Sequence, residues 1–299
     1  MLPTLVQAVP LVARQRGTFE RALAPQPVVW RIFHSGPELV GALFAGAIDV
    51  GYVGPGPAIN GYLRSRGEAL VVLAGAASGG TAFVVRAGIE RVDELHGKTL
   101  ASPQIGNTQD VALRTFLGAN GLRTLEQRGD VRVLPVVSAE VLQLMQRGEL
   151  DGAWVPEPWV TLLEQAGAHV LIDERSLWPG GRFPTALLVA RPQHQGIAQV
   201  VAAHVDEVAW IQSHPADAHR WIRKALHDLG GKPMALEWVA RAMGRIAVTW
   251  DPMPKVLLRL ADQARQLGYL PPGDLSGLVD RSLLDHALTD RHLSAESAQ

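Results

Sequence analysis

The feature that most constrains this chain is a stretch that occurs twice. Residues 46–56 read GAIDVGYVGPG and residues 148–158 read GELDGAWVPEP. Each gives a helix-ending glycine, an aliphatic residue, an aspartate, a short strand carrying one aromatic, and a proline-rich loop. Each follows a serine-started helix (Ser35, Ser138) and a strand-like run, residues 28–33 and 131–137. Residues 4–16 answer residues 107–119 in the same manner. Three correspondences in one order indicate two similar α/β lobes, and two copies are too few for a solenoid. In open α/β sheets ligands sit outside the carboxyl ends of the strands, so loops at equivalent strand ends of two lobes can face each other across a cleft.

Local patterns fill in the order. Helical spacing runs through residues 4–16, with Pro10 an internal blemish. Strand 28–33 leads into a helix started by Ser35, where Glu38 three residues on completes a capping box. Strand 48–53, loop 54–57 and helix 58–66 follow, then strands 70–74 and 81–86 around a loop at 75–80. From Val92 the pattern restarts: a strand at Leu100, a helix from Asn107, strand 131–137, a helix from Ser138, strand 152–155, helix 158–167 and strand 169–172. Such alternation predicts parallel sheets covered by helices. After a strand at 183–190 come four amphipathic helices, at 197–211, 216–229, 235–243 and 254–267. A short helical stretch at 275–288 precedes a polar, frayed tail beyond Asp290.

Composition narrows the function classes. With 47% hydrophobic and 19% charged residues, the 299-residue chain supports a sizeable core. A net charge of -1 without a basic stripe argues against nucleic acid as a partner. The absence of cysteine excludes disulfides, thiolate metal sites and a cysteine nucleophile. The histidines show no HExxH-type spacing, and there is no G-x-S-x-G or P-loop, so neither a metal, a cofactor nor a catalytic group is expected. No apolar run is long enough to span a bilayer. Met1 leads straight into Leu2-Pro3-Thr4 without a basic and an apolar leader segment. A secreted protein would need one, so the reading expects either a longer precursor or a cytoplasmic protein.

The richest single stretch for chemistry is residues 98–120, KTLASPQIGNTQDVALRTFLGAN. A short strand ends at Pro103 and Gly106, Asn107 or Thr108 caps a helix, and Asp110 sits in the first turn, where the helix dipole favours a carboxylate. The resulting helix head, ringed by Gln104, Asn107, Thr108 and Gln109, suits a small anion or serves as an ordinary β–α connection.

These motifs resemble a known family. The order of Ser35-Gly36-Pro37-Glu38, GAIDVGYVGPGP (46–57), AGAASGGTAFVV (74–85), GKTLASPQIGNTQDVALR (97–114), GELDGAWVPEPW (148–159) and DLSGLVDRSLL (274–284) is similar to the solute-binding proteins of ABC importers for aliphatic sulfonates, nitrate and taurine. It runs through almost the whole chain. The resemblance implies an α/β, two-lobed type II periplasmic-binding fold, each lobe a mostly parallel sheet covered by helices with the ligand cleft between. Lobe 1 is expected at 1–78 and 186–299, lobe 2 at 79–185. Against the family, the secretion signal and most of the first strand of lobe 1 are missing.

The expected function is capture of a small oxyanion by lobe closure, most simply an aliphatic sulfonate or taurine-like compound. The expected partners are a small anion or zwitterion and the membrane permease of an importer, with no nucleic acid. The protein would be a monomer in the periplasm or outside the cell. Gln104, Gly106, Asn107 and Thr108 would form the second lobe's anion corner. Ser35 and Gly36 would be its counterpart, with Ser35 also a helix cap. Gly54, Pro55 and Gly56 would let a ligand approach the backbone or simply make a turn, and Thr4 and Gln7 would lie where a first-strand loop meets its helix. Gly79 and Gly80 would line the crossing, and Ser138 would cap its helix and add a donor. Trp154 would wall an apolar ligand tail or belong to the core, and Glu157 would hold a ligand ammonium, bridge the lobes or face solvent. Two other functions stay open: a thiamin-pyrimidine-related binding protein or enzyme, whose cysteine-rich motif this chain lacks, and a cytoplasmic ligand sensor.

Overall fold

A computed structural model describes residues 1–192, 195–231 and 234–294; the last five residues of the expected frayed tail, 295–299, lie outside the described residues. In chain order its elements are α1 (Ala8–Arg16), α2 (Thr18–Leu23), α3 (Gly36–Phe44), β1 (Val50–Val53), α4 (Pro55–Ser65), β2 (Val71–Gly79), β3 (Thr81–Val85), β4 (Thr99–Ser102) and α5 (Thr108–Ala119). Then come β5 (Arg132–Pro135), α6 (Ser138–Gln146), β6 (Gly152–Pro156), α7 (Trp159–Gln165), β7 (His169–Asp173) and β8 (Pro184–Ala190). The last are α8 (Ile197–Ser213), α9 (Pro215–Asp228), α10 (Leu236–Met243), β9 (Ile246–Val248), α11 (Pro254–Gln266) and α12 (Ser282–Asp290).

The chain divides into two compact units: Met1–Gly79 with Phe183–Arg259 and Pro272–Gln299, and Gly80–Arg182 with Leu260–Pro271. The family resemblance put residues 260–271 in the first lobe; by contacts they group with the second unit. Within that unit, Tyr269 packs against Gly106, a contact no local pattern foretells.

The second unit carries one sheet in the order β5-β4-β6-β3-β7. β4 runs parallel to β5 and β6, while β3 is antiparallel to β6 and β7. Side chains alternate across a strand, and here both faces are buried. Phe83, Val85 and Trp154 point into one core with Leu113 and Phe116 of α5. Ala82, Val84, Ala153 and Val155 point into the other with Val141 of α6 and Val160 and Leu163 of α7. This two-sided cover explains why its strands read as near-continuous apolar runs.

The first unit carries the sheet β1-β8-β2-β9, whose paired strands are antiparallel. The expected parallel alternation therefore holds for β5-β4-β6 and not for these four strands. The expected strand at 28–33 forms no strand. Its backbone meets Met1: the Met1 ammonium donates to the Arg31 carbonyl and the Phe33 N–H to the Met1 carbonyl, both at 3.0 Å. A β-branched run becomes a strand only where a neighbour offers a matching row of backbone groups. Three other boundaries shift. β2 runs through the expected loop to Gly79; α4 begins at Pro55, inside the expected loop; and β9 lies where no strand was expected. Pro10 is no blemish, because the α-helix proper starts at Ala8 and places the proline in its first turn, where an N–H has no intrahelical acceptor.

Inside the first unit a polar chain is sealed in the core. His204 is fully buried; its Nε2–H donates to the Gly75 carbonyl (2.7 Å) and its Nδ1 accepts from the Tyr52 hydroxyl (2.9 Å). These partners fix one neutral tautomer. The Gly75 N–H in turn donates to the Trp250 carbonyl at 2.7 Å, so one glycine ties β2, α8 and the segment after β9 together. Burial pushes the His204 pKa down to about 4. Below pH 6.5 the unfolded chain therefore binds a proton that the native state refuses, and stability falls with pH until about pH 4. Unfolding titrations should show a loss of about 3 kcal/mol across that window, and His204→Gln should flatten that part of the slope. An unchanged slope in the variant would contradict this account.

Candidate functional site

β5, β4 and β6 run parallel, so their carboxyl ends share one edge of the second unit's sheet, and each leads into a helix: α6, α5 and α7 respectively. That topology brings Gln104–Thr108, Ser138 and Glu157 to a common edge from three separate parts of the sequence. Asn107 is the N-cap of α5, its side chain accepting the Asp110 N–H at 2.9 Å. Thr108 and Gln109 are the first two helical residues, whose N–H groups have no carbonyl ahead of them within the helix. Gln104 and Ile105 are exposed, Ile105 by 58%, and Val137 after β5 is exposed by 54%. Polar backbone groups and two aliphatic side chains thus lie along the same edge.

The head of α5 already holds an anion of its own. Asp110 is fully buried, and its carboxylate accepts the Ser102 hydroxyl (2.7 Å), the Gly106 N–H (2.9 Å) and Arg114 Nε (3.1 Å). Tyr269 donates its hydroxyl to the same carboxylate, while its ring lies where a Cβ on Gly106 would come within 3.4 Å of Cγ. Burial and then the Asp110 charge push the Tyr269 pKa up to about 12. Gly106 is held at φ 73°, a region that favours glycine, so it can offer its N–H to Asp110 beneath the tyrosine ring. Sequence reading placed Asp110 in the first turn but missed that it occupies the corner. The available signal was Arg114 four residues later on the same helix face. Nothing local marks Ser102 or Tyr269.

Several expected roles change. Trp154 is core: it is fully buried on β6, stacked on Phe83 at 5.6 Å, with its indole N–H donated to Glu174 at 2.6 Å. Glu157 is also fully buried, and its carboxylate accepts the Thr161 N–H (3.1 Å) and hydroxyl (3.0 Å) at the start of α7, so it works as a helix cap and does not face solvent. Ser138 is the first residue of α6, not its cap; that position falls to Val137, which has no side-chain acceptor to offer. Gly79 and Gly80 turn the chain from one unit to the other. The Gly79 N–H donates to Phe183 (3.2 Å), and the Gly80 carbonyl accepts from Glu157 (2.7 Å).

In the first unit, Ser35 caps α3 by accepting the Glu38 N–H at 3.4 Å, and Glu38 reaches back to the His34 N–H rather than to Ser35. Gly36 lies against α4, where a Cβ would fall 2.5 Å from Pro57 Cγ. Gly54, Pro55 and Gly56 form the cap and first turn of α4 rather than a free loop. Gln7 is buried with its side-chain oxygen accepting the Leu2 N–H at 3.3 Å, and Thr4 is half-buried at the start of the same turn.

Behind the edge of the second unit lies a buried acid. Glu174 accepts the Thr81 hydroxyl and the Trp154 indole, and burial raises its pKa to about 7. The native state thus retains a proton that the unfolded chain gives up above pH 4.5, and stability falls as pH rises from 4.5 through about 7. Glu174→Gln should raise stability at pH 5 by less than about 1 kcal/mol and at pH 8 by about 3 kcal/mol. Thermal melts at the two pH values check this; equal shifts at both would contradict it.

Comparison with known proteins places this geometry. The model of the NMT1-like family matches residues 3–226. The chain belongs to the NMT1-like family. A taurine-binding periplasmic protein of Escherichia coli (strain K12) is 30% identical over 170 residues, 57% of this chain and 51% of that protein. A binding protein of Brucella abortus (strain 2308) is 27% identical over 191 residues, 59% of this chain and 56% of that protein. In these matches the chain spans about half the length of its curated relatives. Among solved structures, the alkanesulfonate-binding protein SsuA from Xanthomonas axonopodis pv. citri, bound to MOPS, has a TM-score of 0.74 at 20% identity, covering 93% of this chain and 96% of that one. The periplasmic nitrate-binding protein NrtA from Synechocystis PCC 6803 gives 0.77 at 14%, covering 100% and 89%. The desulfurization enzyme DSZB gives 0.65 at 18%, covering 98% of each. The fold of this NMT1-like chain is thus the two-domain fold of the periplasmic binding proteins. Among the described residues no helix is long and apolar enough to cross a membrane.

Proposed function

We propose that this NMT1-like chain is the solute-binding component of an ABC-type importer, taking a small oxyanion with an apolar part, of the aliphatic sulfonate or taurine class. The observation that carries the reading is the edge of the second unit. There, the head of α5, with Asn107 and Thr108, stands beside the exposed aliphatics Ile105 and Val137. Such an edge suits a solute that is polar at one end and apolar at the other better than a bare inorganic ion. The names of the relatives support the same class. Delivery to a membrane permease from the periplasm or the outer cell surface belongs to this proposal, as do a non-catalytic role and the assignment of Gln104, Gly106, Asn107 and Thr108 to the ligand.

Calorimetric titration with taurine, alkanesulfonates of rising chain length and nitrate tests it. Binding should strengthen with chain length and exceed that of nitrate. Thr108→Ala should weaken it about tenfold, the cost of one lost hydrogen bond to a charged group. Asn107→Ala should do the same and also cost about 1 kcal/mol of stability through the lost cap. A folded protein that binds nitrate best, or none of these solutes, would contradict the reading.

The DSZB likeness gives a second reading, an enzyme on the same fold. Recovering the bound sulfonate after prolonged incubation separates the two: an unchanged solute supports the receptor, and released inorganic sulfur oxyanion supports the enzyme.

A further inference from the structure

We propose that the outer face of α9, in the first unit, carries a second binding site, for an aromatic ring that bears one carboxylate or sulfonate. It belongs to a different unit from the edge described above and does not rest on the solute-binding reading.

A groove of about 570 Å³ runs along α9, lined by that helix and by Met234 in the connection to α10. Small-molecule sites fall in the range of roughly 300–1,000 Å³. Helical spacing builds its wall. Asp217, Arg220, Trp221, Lys224 and Asp228 recur at intervals of three and four residues, so their side chains share one face of α9. Trp221 and Met234 are half-buried: each packs against the unit's core and also lines the groove. An indole and a thioether both favour an aromatic guest, the first by offset stacking and the second through its polarizable sulfur.

The charges select the head group. Arg220 pairs with Asp217, and Lys224 with Asp228 at 2.5 Å. Gln15 of α1 donates to the same Asp228 carboxylate at 2.9 Å. Among the described residues Arg223 has no carboxylate partner, and the Trp221 indole N–H has no acceptor. His227 completes this side of the lining. One guanidinium and one N–H are thus left to donate, which matches a single carboxylate or sulfonate. A cationic guest would meet a surplus of positive charge, and a dianion would find one unpaired cation. Arg223 is exposed, so its pull is screened by salt. Burial of the ring supplies most of the affinity, and the guanidinium holds the head group.

The probe is naphthoate, a flat ring with one carboxylate, and naphthylmethanol is its uncharged counterpart. Calorimetric titration of the full chain with naphthoate should show one saturable site, of equal affinity with and without excess taurine. Arg223→Gln should weaken naphthoate about fivefold, the upper end for an exposed charge pair, and leave naphthylmethanol unchanged. Trp221→Ala should weaken both by about tenfold. In a spectrum of the labelled protein, the indole resonance that disappears in Trp221→Phe should shift as naphthoate is added. Should Trp221→Ala fail to fold, Arg223→Gln decides, since it changes an exposed side chain. No saturable naphthoate binding, equal affinity in wild type and Arg223→Gln, or an unmoved Trp221 resonance overturns the inference. Loss of naphthoate binding under excess taurine puts the probe at the solute's own site and overturns it too. Naphthoate binding that follows these variants in a protein that takes no sulfonate removes the solute reading and leaves this one standing.

Discussion

A single carboxylate organises the head of α5 in the second unit. Asp110 gathers a hydroxyl from the end of β4, a backbone N–H from the loop, a guanidinium one helical turn further on, and a tyrosine from residues 260–271. A buried charge is tolerated only when donors surround it, and here three of them lie within residues 102–114 while the fourth, Tyr269, comes from far along the chain. The position of α5 relative to its strand, the turn at Gly106 and the seat of Tyr269 all follow from that requirement. The first unit is pinned by a neutral analogue, the Tyr52–His204–Gly75 chain, in which a histidine plays the satisfied core residue rather than the switch.

Sheet architecture explains what the other residues can do. Parallel strands send their carboxyl ends to one edge, and each connection there starts a helix. The first N–H groups of these helices have no acceptor within the helix, and side chains answer some of them: Asn107 takes the Asp110 N–H and Glu157 takes that of Thr161. Ile105 and Val137 are exposed in the connections after β4 and β5. The buried Glu157 and Trp154 lie behind that edge and shape it by packing.

Much of this was legible in the sequence. The echo of residues 46–56 at 148–158 revealed two α/β lobes, and Asn107 announced the cap of α5. What the sequence could not show was long-range. Residues 28–33 have every local mark of a strand, but pairing depends on a neighbour, and Met1 supplies little. Residues 260–271 look like the end of one more amphipathic helix and its turn, yet Tyr269 belongs with Asp110. Ser138 satisfies the statistics of a cap, and the helix starts one residue early because Val137 turns the chain. Trp154 and Glu157 drew attention as rare residues beside a loop, but β6 directs the tryptophan into the core, and Thr161 answers the glutamate. For residues 28–33, Tyr269 and Trp154 a local preference gave way to contacts between residues far apart in sequence.

The most direct measurement is an amide spectrum of the labelled protein titrated with an alkanesulfonate. If the head of α5 holds the solute, the N–H resonances of Thr108 and Gln109 move downfield and saturate with the binding isotherm. That of Gly106, already bonded to Asp110, moves much less. Saturable binding that leaves Thr108 and Gln109 unmoved while resonances elsewhere shift would place the solute away from this corner and contradict the account.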